Sequence, residues 1–162
     1  MTTEADQGRE LLRHTLATLA YRGGKTIRGT NKDFATFRAS KDARTPLEIL
    51  AHIGDLMEWG LSIAEGKQAW SNAKPRVWNQ EVKRFHKTLK EFDKFLASGN
   101  RLACPPQKLF QGPIADALTH VGQIAMLRRL AKTPMRGENY FKADIATGRV
   151  GAEQSPPVFE FD

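Results

Sequence analysis

Apolar residues return every three or four positions along four separate stretches of the chain, the spacing that gathers them on one face of a helix. The first stretch covers 8–26 and runs on to Ile27, with Leu11, Leu12, Thr15, Leu16 and Leu19 in its stripe. Gly23 and Gly24 mark either its fraying end or a close helix contact. The second has the sharpest start. Thr45 can cap it, Pro46 suits the first helical position, and Glu48 is placed to complete a capping box. Leu47, Leu50, Ala51, Gly54, Met57, Leu61 and Ala64 then follow, and Gly66 is expected to stop the helix. The third, over 77–97, carries Val82, Phe85, Leu89, Phe92 and Leu96 in one stripe, with Lys83, Lys87, Lys90 and Lys94 on much of the rest. The fourth, over 107–131, offers Leu109, Ala117, Ile124, Leu127 and Leu130. Gly112 and Pro113 interrupt its beginning, so regular helix is expected only from near Pro113.

The intervening segments are polar. Residues 28–44, anchored by Phe34 and Phe37, make a long connection for a simple bundle, and 67–76 form a linker holding Trp70 and Pro75. Residues 138–147 are expected to add a short helix, and the remainder a tail held by a few aromatics. No internal repeat or β-hairpin pattern is present. Each hydrophobic stripe needs a partner, and the partners lie within this one chain. The pattern therefore predicts an all-α four-helix bundle with a short C-terminal helix and tail, as one domain over 1–150 followed by 151–162.

Composition narrows the class. With 162 residues, 40% of them hydrophobic and 27% charged, the chain can build one real core beneath a soluble surface. No stretch approaches the roughly 18 apolar residues of a membrane span, and the opening MTTEADQGRE lacks the basic and apolar regions of a secretory signal. Cys104 stands alone, which excludes an intramolecular disulfide and a cysteine-rich zinc site and leads us to expect a reducing cytoplasm. The net charge of +7 is spread from Arg9 to Arg129 and interleaved with Glu81, Glu91 and Asp93, so neither a specific nucleic-acid partner nor a membrane is expected.

The candidate chemistry rests on His52, Asp116 and His120. Asp116 and His120 are four apart and share a helix face, while His52 lies on the second helix. Taken singly they are ordinary: a core-edge histidine, and a local carboxylate–imidazole pair. Brought together they offer N, O and N donors with a fourth position open, which suits a divalent metal and a water. Zinc accepts such donors readily, and nickel, iron and manganese are chemically compatible. Glu48, Asp55, Glu58 and Gln123 are candidates for contacts behind the donors. His14 and His86 are alternative histidines, the latter expected to be solvated among lysines. Trp59, Trp70, Trp78 and Tyr140 are candidate pocket walls, Lys83, Arg84 and Lys87 read as a wet helix face, and nothing near Cys104 in sequence activates it as a nucleophile. Glycine-rich phosphate loops, the His-Glu-x-x-His motif and the hydrolase serine pattern are absent from the sequence.

Two segments carry a resemblance. Thr45-Pro46-Leu47-Glu48-Ile49-Leu50-Ala51-His52 resembles the start of the second helix in the DinB-like superfamily, and Asp116-Ala117-Leu118-Thr119-His120-Val121-Gly122-Gln123-Ile124 looks like its fourth-helix metal motif. The resemblance covers about 8–150. It implies an up-down-down-up bundle carrying a divalent metal, zinc or nickel, on three side chains. His52 and His120 match two ligands, and Asp116 stands where another histidine is usual. It further implies a homodimer and, as in some relatives, a metal-dependent thiol S-transferase using a low-molecular-weight thiol cosubstrate against a small electrophile. The competing expectation is a noncatalytic bundle that binds a small ligand or a protein partner.

Overall fold

Thr45 fixes the entry to the helix that carries His52. Its hydroxyl accepts the Glu48 amide at 3.1 Å, and the Glu48 carboxylate accepts the Thr45 amide at 2.7 Å. This reciprocal cap, with Pro46 in the first turn, is worth about 1 kcal/mol and sets the phase of everything downstream. A computed structural model describes residues 4–162, so residues 1–3 of the expected 1–150 domain lie outside it. Its helices are α1 (Glu4–Ile27), α2 (Lys32–Ala35), α3 (Pro46–Ala64), α4 (Trp78–Ala97), α5 (Pro106–Leu109) and α6 (Ala115–Leu130). The chain is all-α in its core, with four long helices packed together: α1 and α3 each lie against both α4 and α6.

The stripes meet in one cluster. Leu16, Leu19, Leu50, Ile53, Met57, Phe85, Leu89, Phe92, Leu96, Leu109 and Ile124 are fully buried, each worth about 1.5–3 kcal/mol of transfer free energy. Leu11 and Leu130, expected in the stripes, instead face outward. Two glycines let helices approach. A Cβ on Gly23 would lie 2.5 Å from Phe85 Cζ, so this position is a close contact rather than a frayed end. A Cβ on Gly60 would lie 2.8 Å from Phe92 Cε1 and 3.1 Å from Pro113 Cγ, so α3 can sit tightly against α4 and the start of the last helix. The helix ends are tied as well. The Arg9 guanidinium donates to the carbonyls of Leu96 and Asn100, Arg13 pairs with Asp93, and the Arg128 guanidinium donates to the carbonyls of Thr26 and Arg28.

Several local expectations needed correction. Residues 28–44 contain a short helix, α2, because the Asn31 side chain caps the amides of Asp33 and Phe34. The last long helix does not simply begin at Pro113. α5 runs into a wide turn, Phe110–Ile114, which absorbs a proline that has no amide to donate, and regular helix resumes at Ala115. The short helix expected at 138–147 is only a single tight turn, Tyr140–Lys142. Glu138 is drawn away from it: its carboxylate accepts from Tyr21 Oη at 2.6 Å and from Lys25 Nζ at 2.7 Å. The backbone of β1 (Gly137–Glu138) pairs antiparallel with β2 (Glu160–Phe161), whose Glu160 also binds Lys25. The tail is thus pinned to α1 by charge as well as by aromatics. Among the described residues no helix is long and apolar enough to cross a membrane.

Candidate metal centre

The capped start of α3 places His52 on the side that faces α6, where Asp116 and His120 follow one turn apart. One donor atom from each of the three lies within 4.8 Å of the others. His120 Nε2 is 3.3 Å from Asp116 Oδ1, and His52 Nε2 is 3.8 Å from Asp116 Oδ2. The two imidazoles meet edge to face with centroids 4.8 Å apart. Tetrahedral bonds of the usual zinc length separate ligand atoms by about 3.3 Å. The acid–His120 pair already has that spacing, while the widest separation within the trio, at most 4.8 Å, has to close by up to about 1.5 Å. The site lies at the bundle surface: 21%, 48% and 12% of the His52, Asp116 and His120 side chains are exposed, which leaves an approach for a further ligand.

The protonation pattern fits a cation. His120 Nδ1 is 2.8 Å from Gln123 Oε1, an acceptor, so the proton is assigned to Nδ1 and the lone pair to Nε2. That lone pair then faces a carboxylate oxygen, an arrangement that a shared cation relieves. Gln123 orients the ring from behind, as outer-shell partners of metal-bound histidines do. Burial holds His52 below the ordinary imidazole value. The charges of His120 and Arg44 push the same way, against Asp116 and Asp55. His52 therefore favours the neutral form that ligates metals. The donor set, its spacing and the assigned tautomer all suit a divalent ion.

The surroundings were partly foreseen. Trp70 from the 67–76 linker packs its edge on His52 at 5.9 Å between centroids, and Trp59 of α3 packs on Trp70 at 5.6 Å. Trp78 instead packs on Phe34 and Tyr140 on Tyr21, so neither joins this wall. Of the four residues expected behind the donors, only Gln123 touches one. Glu48 caps its helix, and Asp55 and Glu58 both bind Arg84. His14 hydrogen-bonds Thr147. His86 is half-buried against the Phe85 ring rather than solvated, and burial holds it below the usual imidazole value. Burial pushes the Cys104 thiol up, away from the thiolate that a nucleophile needs.

Arg84 is the largest correction. Expected on a wet face, it is buried, 5% exposed in its side chain, and holds Asp55 at 2.6 Å and Glu58 at 2.8 Å. It also donates to the Ala51 carbonyl and lies 3.5 Å from buried Glu81. Its guanidinium pKa is raised despite burial because Glu58 and Asp55 accept its hydrogen bonds. The signal in the sequence was Arg84 falling one residue from Phe85 at the edge of the α4 stripe; its partners all come from another helix or an earlier turn.

Two cavities flank the donors. One, of about 360 Å³, is bounded by His52, Arg44, Asp55 and Lys74. The other, of about 400 Å³, is bounded by His120, Gln123, Arg44, Ile49 and Met126. A larger groove of about 590 Å³ lies apart, against Glu58, Arg76, Lys83 and Lys87. Comparison of the chain with protein-family models, with curated proteins and with solved structures gave no match.

Proposed function

We propose that this is a divalent-metal-binding DinB-like protein, with zinc or nickel held by His52, Asp116 and His120, and that the centre serves transfer of a low-molecular-weight thiol to a small electrophile. The observation that carries the reading is the convergence of three metal-competent donors from two helices beside open cavities. The direction of the helices supports the family resemblance. α4 runs against α1, because Arg9 meets Leu96 while Gly23 meets Phe85. α4 runs with α3, because Gly54 meets Arg84 while Gly60 meets Phe92. α6 runs with α1, because Gly8 meets Pro106 while Arg128 meets Thr26. That order is up-down-down-up.

A bound divalent ion would supply Lewis acidity that favours the thiolate over the thiol. The chain's own contribution is to hold the donors. Gln123 fixes the His120 tautomer, burial keeps His52 neutral, and Trp70, backed by Trp59, packs against the His52 ring. In the overall exchange the thiol gives its proton to solvent, its sulfur forms a bond to the electrophilic carbon, and the bond from that carbon to its leaving group breaks. The resemblance carries a homodimer into the same reading, which light scattering on the purified protein checks. One observation favours the runner-up, a noncatalytic ligand-binding bundle: the Asp116 side chain is 48% exposed, so its charge is already solvated without an ion.

The test is metal analysis of untagged protein alongside H52A, D116A and H120A, each checked for folding by circular dichroism. The expected result is bound metal in the wild type and its loss in both histidine variants. Equal metal content in all four proteins removes the centre. Thiol transfer should then require both the ion and the thiol; activity independent of both removes the chemistry while leaving the site.

A further inference from the structure

Arg44 belongs to the walls of both cavities that flank the donors, the one reached past His52 and the one reached past His120. It precedes the capping residue of α3 and is exposed. Among the described residues it makes no hydrogen bond or ion pair. Lys74, which also lines the His52 cavity, is likewise unpaired and exposed.

The acids nearby do not neutralise these cations. Glu48 accepts from the Thr45 amide and from Arg38, and Asp55 is committed to Arg84. Asp116 lies between the two imidazoles. The positive charge left over therefore faces the cavities. Salt bridges that only hold a fold together are closed within the molecule, as those of Arg84 and Arg13 are. An arginine left open beside a concave donor cluster has the planar fork that binds a two-oxygen anion side by side.

Resting on the metal-centre reading, we infer that the site takes a ligand bearing a carboxylate or phosphate oxyanion, that Arg44 grips that oxyanion, and that Lys74, lining the same cavity, adds charge. The electrophile of the proposed transfer is thus a small acid rather than a neutral molecule. Ile49, Met126 and Leu127, which share a cavity wall with Arg44 and His120, would receive its carbon skeleton. Arg44 is a specificity residue in this scheme, and it is not a metal donor.

The probes are succinate, inorganic phosphate and the neutral succinamide, titrated calorimetrically into zinc-loaded and zinc-free wild type, Arg44→Met, Arg44→Lys and Lys74→Gln. Both positions are exposed and unpaired, so the variants should fold and keep the wild-type metal content. The expected result is binding of succinate or phosphate but not succinamide, weakened about tenfold or more in Arg44→Met, partly restored in Arg44→Lys and weakened less in Lys74→Gln. Tighter binding of succinate than of phosphate assigns the ligand to the carboxylates, and the reverse to the phosphates. No anion binding to the wild type, or equal binding to Arg44→Met, overturns the inference. The metal reading stands or falls separately, on the metal content of the histidine variants. Loss of that reading with Arg44-dependent succinate binding intact would leave an anion site without a metal.

Discussion

Replacing Arg84 by methionine removes the only cation from a buried cluster and keeps most of its volume. The side chains of Asp55 and Glu81 are 2% and 1% exposed, so neither can turn to water when the guanidinium goes. Glu81 retains the Arg76 amide as a donor at 2.9 Å, while Asp55 loses its 2.6 Å partner. Glu58, 46% exposed, can resolvate and contributes little. Breaking a buried pair in this way costs about 3–5 kcal/mol. In a chain of this size that lowers Tm by about 6–20 °C. Removing the charges together, in Arg84→Met with Asp55→Asn and Glu81→Gln, should recover part of the loss at neutral pH. Urea and thermal unfolding measure all of this. An Arg84→Met protein within about 1 kcal/mol of wild type at neutral pH would show that the cluster is not the tie between α3 and α4 that its geometry indicates.

Two smaller perturbations test other parts of the packing. Gly23→Ala pushes a methyl to 2.5 Å from the Phe85 ring inside α1, so overpacking should outweigh the helix propensity of alanine and cost about 1–3 kcal/mol in unfolding; a stabilised variant would contradict the contact. Burial holds His86 below its unfolded value, so the unfolded chain binds more protons just below pH about 6.5 and stability falls as pH drops through that window. His86→Leu should flatten, without abolishing, this part of a Tm–pH curve, since His52 is shifted in the same direction, and parallel curves would exclude the effect.

The four long helices were legible because each had to bury a stripe, and stripe spacing is a local property. The Thr45–Glu48 cap and the Gly66 stop were legible for the same reason, Gly66 taking a positive φ of 84°. Features that depend on a distant partner were hidden. Arg84 reads as one more base on a lysine-rich helix until α3 is laid beside it and Asp55 and Glu58 come within reach. Residues 138–147 look helical alone, yet Glu138 is claimed by Tyr21 and Lys25. The cluster of His52, Asp116 and His120 sits between these cases. The acid–imidazole spacing is local, whereas the meeting with His52 requires α3 and α6 to pack in one particular phase. Nothing in the sequence around Arg44 distinguishes it from any other loop arginine; only its place on the walls of both cavities does.

Gly60 stands eight residues beyond His52, about two turns along α3, where that helix touches Pro113. The gap across which His52 reaches for Asp116 is thus gauged by a missing methyl group, far from any atom that would meet an ion. A side chain introduced there would act as a wedge between the helices, widening the gap between the donors although none of the three had been changed. The spacing of the three donors therefore answers to a residue that carries no donor of its own.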